Sequence, residues 1–236
     1  MEKIEINIDH LPLETLLDKE LLHHTVYSNM NQNYYWSDDF SATYYVAQAK
    51  AGFIAVTEEV NGELVLIPEI QYAYALLDFK DLHVSRNVEK LLKRKAFTLE
   101  ITQELDEVYR KINGFHKKSW VKKKYLDTLN EVNALKGECQ VVAVTLKEGG
   151  EVVAGELGYI IGNIYTSLSG FSSRKRAYRN YGTVQLVLLA DHLDANGFAF
   201  MNLGQPYMDY KVALGAKIYG RKAFLERWFE MQSLSS

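Results

Sequence analysis

Cysteine is nearly absent from this 236-residue sequence. Cys139 stands alone, which excludes an internal disulfide and suits a reducing compartment. Proline occurs three times, too seldom for long disordered linkers. No apolar run approaches the roughly 18 residues that span a bilayer. The stretch from Met1 to Leu22 is acidic, is broken by Pro12 and lacks the basic start of a targeting segment. A soluble cytoplasmic protein with no membrane partner is expected. Histidines are scattered, with His23-His24 adjacent rather than at ligand spacing, so no metal site is expected. A Gly-x-Ser-x-Gly nucleophile motif is missing, and Ser167-Leu168-Ser169-Gly170 does not fit it. Cys139 opens an apolar segment and reads as core rather than nucleophile.

What the chain does have is material for a core and an uneven distribution of charge. Hydrophobic residues make up 47% of it, enough for one large domain or a small domain beside a larger one. The net charge is −3, yet from His83 to Lys124 twelve lysines and arginines stand against five acids. That asymmetry predicts a basic face on an acidic body. Within it Arg86, Lys90, Lys93 and Arg94 share one face of a helix capped by Ser85, where like charges repel. A solvated stripe would tolerate them; a phosphate backbone would select them, because each bound cation releases counterions. Lys117 and Lys118 precede Trp120 at the start of another helix. That tryptophan reads equally as a platform for a base and as a staple beneath a charged surface.

Apolar periodicity places helices at 13–22, 42–51, 86–95, 103–112, 121–135 and 184–193. Strands are expected at 53–56, 64–68, 72–79, 97–101, 140–147, 151–161, 164–169 and 198–203, with a hairpin turn at Asn61-Gly62. This order is mixed α/β (α+β) and matches the acyltransferase fold called GNAT. The expected division is a small N-terminal domain over 1–74 and a GNAT-like acyltransferase domain over 75–236.

Three features carry chemistry. A basic loop, Arg174-Lys175-Arg176, runs through Arg179 to Gly182-Thr183-Val184 ahead of an apolar helix. Unpaired N–H groups and the helix dipole make such a start an anion site. Glu156 lies in the middle of an apolar strand, where it either faces solvent or occupies a cleft as a base. Gln205 follows Gly204 just past a strand end, where its amide can orient an amine or a carbonyl.

In this order the residues resemble the leucyl/phenylalanyl-tRNA–protein transferases. The points of resemblance begin with Asp39-Phe40-Ser41, Ala47 and Gly52-Phe53, followed by His83-Val84-Ser85-Arg86 and Trp120-Val121. They continue through Val153-Ala154-Gly155, Gly162 and Phe171-Ser172 to Gln205, Leu214-Gly215-Ala216, Arg221 and Phe224-Leu225. The resemblance implies a GNAT-like fold that moves leucine or phenylalanine from tRNA to a protein N-terminus beginning with Arg or Lys, marking it for degradation. Four departures stand out. The family's Glu-Ser-Met-Phe-Ser reads Leu168-Ser169-Gly170-Phe171-Ser172, and its Asp-x-Gln reads Leu203-Gly204-Gln205. Its paired tryptophans are replaced by Pro68-Glu69, and its histidine and glutamate of the second central strand by Gln140 and Ala143. Asn202 substitutes for the missing aspartate only if the strand bulges by one residue.

The expected partners are aminoacyl-tRNA as donor and a protein or peptide N-terminus as acceptor, with no cofactor. Gln205, Asn202 and Glu156 are the catalytic candidates. Trp120, Tyr165, Leu168, Gly170, Phe171, Gly182, Thr183 and Leu189 are candidates for holding substrate. Arg86, Lys90, Lys93, Arg94, Lys117, Lys118, Arg174 and Arg179 are candidates for contacting the nucleic acid. Two alternatives stay open: an acyltransferase using acetyl-CoA, with Arg179 to Thr183 on the pyrophosphate and Glu156 as base, and a tRNA-binding relative without catalysis.

Overall fold

A computed structural model describes residues 8–233, so residues 1–7 of the acidic start lie outside the described part. Nine helices among these residues are α1 (Leu13–Leu17), α2 (Lys19–Leu21), α3 (Ala42–Lys50), α4 (Arg86–Arg94), α5 (Asp106–Phe115), α6 (Lys123–Ala134), α7 (Tyr181–Ala195), α8 (Asp209–Ala213) and α9 (Arg221–Ser233). The strands are β1 (Ile54–Val60), β2 (Glu63–Glu69), β3 (Ala73–Leu77), β4 (Phe97–Thr102), β5 (Cys139–Glu148), β6 (Glu151–Ile161), β7 (Ile164–Ser172), β8 (Phe200–Asn202) and β9 (Lys217–Gly220). No helix of the described residues is long and apolar enough to cross a membrane.

Local chemistry accounts for the boundaries. The Ser41 hydroxyl accepts from the Tyr44 N–H and the Ser85 hydroxyl from the Val88 N–H, capping α3 and α4 where expected. Asn61 and Gly62, at φ 53° and 84°, form the tight turn joining β1 to β2. α7 begins at Tyr181, three residues before the apolar run suggests, so Gly182 and Thr183 fall in its first turn.

Seven strands form one sheet in the order β4-β5-β6-β7-β8-β3-β9. Every neighbouring pair is antiparallel except β7 and β8, which run parallel for three residues with α7 as the crossover between them. This is the mixed α/β arrangement expected. β1 and β2 pair separately, and Tyr34 and Ser37 bridge to Glu69 and Leu66 on β2. β3 begins at residue 73, beside the expected division at 74, and lies inside the large sheet between β8 and β9.

Alternation along the central strands feeds two cores on opposite faces of the sheet. One joins Val141, Leu157 and Tyr159 to α3, α5, α6 and α9; the other joins Val142, Val144 and Tyr165 to α4 and α7. In β7 the pairing with β6 skips Leu168, which forms a bulge. Beyond Thr166 the parallel ladder ends while β7 continues to Ser172, so β7 and β8 part at this level.

Candidate active site

Where β7 and β8 part, polar groups enter an otherwise apolar interior. Glu156 is 4% exposed and lies on the α7 side of β6. Its carboxylate accepts from the Tyr165 hydroxyl at 2.6 Å and the Ser167 hydroxyl at 3.2 Å. Tyr165 reaches it by passing over Gly158, where a Cβ would overlap the tyrosine hydroxyl. The buried Gln185 amide on α7 approaches the same carboxylate without closing a hydrogen bond. Burial outweighs these donors and holds the Glu156 carboxyl at about 7.

Lys211 on α8 is equally buried, at 5% exposure. Its ammonium donates to the carbonyls of Leu203 at 2.5 Å and Gln205 at 2.6 Å, pinning the backbone on both sides of Gly204. Burial pushes this ammonium down to about 8, while attraction to Glu156 acts the other way. Lys211 and Glu156 form no ion pair within 4 Å among the described residues.

Gln205 is half-buried. Its Nε2 donates to Glu69 at the end of β2, at 2.9 Å, across 136 residues of sequence. Glu69 is 7% exposed and also accepts from Asn33 Nδ2 at 3.1 Å. Tyr34 and Gln71 lie close enough to favour the ionised form, yet burial outweighs all of these groups and raises the carboxyl above its ordinary value. Asn202 does not reach Gln205 in this way. Its Oδ1 accepts the Gly204 N–H at 2.9 Å, and its Nδ2 is buried without a partner. The carboxylate beside Gln205 is therefore Glu69, from a strand remote in sequence.

The structure groups the remaining candidates unevenly. Gly170 lies opposite Glu156, with its carbonyl 2.9 Å from His116 Nε2. Gly182, at the start of α7, sits against Ser172 at the end of β7; Thr183 follows it, half-buried. Tyr165 and Leu189 belong to the α7-side core. Trp120, Leu168 and Phe171 pack with the opposite core instead, Trp120 edge-to-face against buried Tyr125 with centroids 5.2 Å apart.

Arg86, Lys90, Lys93 and Arg94 line the exposed side of α4, opposite buried Val88. None of the four has a carboxylate within 4 Å among the described residues, whereas the next cation, Lys95, pairs with Glu148 at 2.7 Å. Glu148 also accepts from the Tyr181 hydroxyl at 2.9 Å, tying the end of α4 to the start of α7. Arg174 donates to the Phe115 carbonyl and lies 4.5 Å over its ring, which brings the basic loop against the segment carrying exposed Lys117 and Lys118. Arg179, also exposed, immediately precedes Asn180, the N-cap of α7. The end of α4 is thus tied to the start of α7, and the basic loop from Arg174 to Arg179 leads into it.

Local sequence pattern assigns no role to Glu69 or Lys211. Glu69, an acid ending an apolar strand, gives the same signal as Glu156. Lys211 sits among exposed neighbours and gives none. Among the described residues there is no group of three or more His, Cys, Asp or Glu that could hold a metal ion.

The family model described as leucyl/phenylalanyl-tRNA protein transferase matches residues 76–228. A leucyl/phenylalanyl-tRNA–protein transferase of Pseudomonas fluorescens is 28% identical over 149 residues, covering 62% of this chain and 62% of that protein. The chain thus spans less than two thirds of this curated relative. Among solved structures, L-PGS from Bacillus licheniformis aligns with a TM-score of 0.44 at 13% identity, covering 93% of this chain and 70% of that one. A GCN5-related N-acetyltransferase from Kribbella flavida aligns with a TM-score of 0.38 at 11% identity, covering 61% and 52%.

Proposed function

The chain belongs to the leucyl/phenylalanyl-tRNA protein transferase family, and from that premise we propose that it moves an amino acid from a charged tRNA to the primary amine of a protein or peptide. Leucine or phenylalanine is the amino acid the relative's name points to; in this reading the transfer tags the acceptor for degradation. The observation that carries this reading is the position of Gln205: half-buried past the end of β8, its backbone held by Lys211 and its amide by Glu69.

The chemistry is aminolysis of an activated ester. The acceptor nitrogen, once its ammonium form has released a proton to solvent, attacks the aminoacyl carbonyl carbon, a C–N bond forms, and the ester C–O bond to the ribose breaks. One N–H proton ends on the departing ribose oxygen. Because the ester is already activated, holding the amine and carbonyl in contact supplies much of the acceleration. In this reading Gln205 orients the amine, and the aminoacyl group is received where β7 and β8 part, beside Glu156, Tyr165 and Gly170. The first turn of α7, at Gly182-Thr183, faces the developing oxyanion or the terminal phosphate. The unpaired cations of α4 and the tracts at Lys117, Lys118, Arg174 and Arg179 bind the tRNA backbone.

The test is single-turnover transfer from a pool of radiolabelled aminoacyl-tRNAs to peptides with varied N-termini, with acetyl-CoA consumption followed in parallel. Label moving to peptide is the expected result and names both donor and acceptor. Consumption of acetyl-CoA without label transfer overturns the proposal in favour of a coenzyme-A acyltransferase. Salt-sensitive tRNA retention with no transfer overturns it in favour of a binding protein.

A further inference from the structure

Ionised carboxylates only accept hydrogen bonds. The group that Gln205 turns toward Glu69 is therefore its NH2, and its Oε1 is left as an acceptor with no donor among the described residues. That assignment follows from the charge of Glu69, because an amide facing another amide could rotate end for end. Gln205 cannot rotate without losing its bond to the carboxylate.

Glu69 has a second property. Its hydrogen-bond donors, Asn33 and Gln205, are both neutral, and no lysine or arginine nitrogen lies within 4 Å of it among the described residues. Arg221 is close enough for its charge to be felt, but its guanidinium is committed to carbonyls of Val26, Asn29, Gln32, Ile70 and Gln71. A carboxylate withdrawn from water without an adjacent cation favours the arrival of one.

We propose that Glu69 and Gln205 form the receiving site for the acceptor's primary amine, Glu69 supplying the counter-charge for the arriving ammonium and fixing Gln205 so that its oxygen accepts an N–H. The ligand class is a primary ammonium at a chain end, and the assignment rests on the transferase reading only for the identity of that chain as acceptor. Glu69 is here a binding and positioning residue. The lift of its carboxyl by burial agrees with this role, since a bound ammonium would relieve it.

Binding without transfer separates this inference from the transferase reading. Tripeptides carrying a C-terminal dye, with the α-amine free or N-acetylated, are titrated against the full chain, its Glu69→Gln variant and its Glu69→Asp variant. Retention of tRNA is measured on the same samples as a check on folding. The free-amine pool should bind the wild-type chain at least about tenfold more tightly than the acetylated pool. Glu69→Gln should abolish that preference, Glu69→Asp should keep part of it, and tRNA retention should be unchanged in both. A carboxylate that merely ties Asn33 to the Gln205 segment would not distinguish the two pools. Equal binding of both pools to the wild-type chain, or a preference that survives Glu69→Gln, overturns the inference even if label transfer from tRNA succeeds. A preference lost in Glu69→Gln sustains it even if no transfer is seen.

Discussion

Glu156 shows how one residue can record its surroundings in the pH dependence of the whole chain. Burial holds its carboxyl at about 7, against 4.5 for an ordinary glutamate. Between those values the folded chain keeps a proton that the unfolded chain has released, so stability falls as pH rises through the window. At roughly 1.4 kcal/mol per pH unit, the full fall is about 3 kcal/mol, complete above about pH 7. Glu156→Gln keeps an oxygen for the Tyr165 hydroxyl and removes the titration. Melting followed by calorimetry from pH 4.5 to 8 should show the wild-type chain losing stability relative to the variant across that range. Loss of the attraction to Lys211 trims the gain at the alkaline end without changing its sign. Parallel curves would mean that Glu156 titrates in the folded chain as it does in the unfolded one. Glu156 was legible from the sequence because an acid amid strand-spaced apolar residues stands out. Glu69 stands out in the same way, but its meaning lies in a contact 136 residues distant, which no local pattern encodes.

Among the elements, those built from local signals were legible and those fixed by distant partners were not. Capped α3 and α4, the β1–β2 hairpin and the long strands β5 and β6 all lie close to where periodicity puts them. α8, β9 and α9 carry no comparable signal. β9 is only four residues long and its central residues are exposed or half-buried, so its identity comes from pairing with β3. The turn before it, at Gly215, is shaped by close packing: a Cβ there would overlap the Asp81 carbonyl. α9 opens with Arg221, 1% exposed, whose guanidinium joins the N-terminal segment 26–32 to the residues that follow β2. Asn33, Tyr34 and Glu69 are close neighbours in sequence of the carbonyls it holds. Arg221→Met would leave those buried carbonyls without their donor, at a cost of about 3–5 kcal/mol in urea unfolding. At a temperature where the variant remains folded, its preference for free-amine peptides should drop while tRNA retention persists. If stability falls but the preference is untouched, Arg221 holds the core together without shaping the Glu69 site.

At the scale of the whole molecule, the question is how a chain of net charge −3 could hold a polyanion. Association depends on the potential where the ligand arrives, and the cations of this chain are segregated rather than averaged. Lys50, Lys95, Lys147 and Lys217 are each matched by a carboxylate, whereas Arg86, Lys90, Lys93 and Arg94 are exposed and unmatched among the described residues. Leaving four like charges on one stripe gains nothing for folding, since neighbours on a helix face repel by a few tenths of a kcal/mol each. Replacing all four with glutamine should therefore leave the melting temperature unchanged or slightly raised. The electrostatic consequence should be large and specific. Each phosphate contact contributes about 0.7–0.9 to the slope of log affinity against log salt. Neutralising a stripe that makes four such contacts should flatten that slope by about 3 and weaken tRNA retention most at low salt. Replacing exposed Lys19 and Lys222, which lie outside the basic tract, should change the slope little. Flattening in proportion to the number of charges removed, so that the two control changes give about half the effect of the four, would mean that tRNA responds to total charge, and the stripe on α4 would then be a solvated surface.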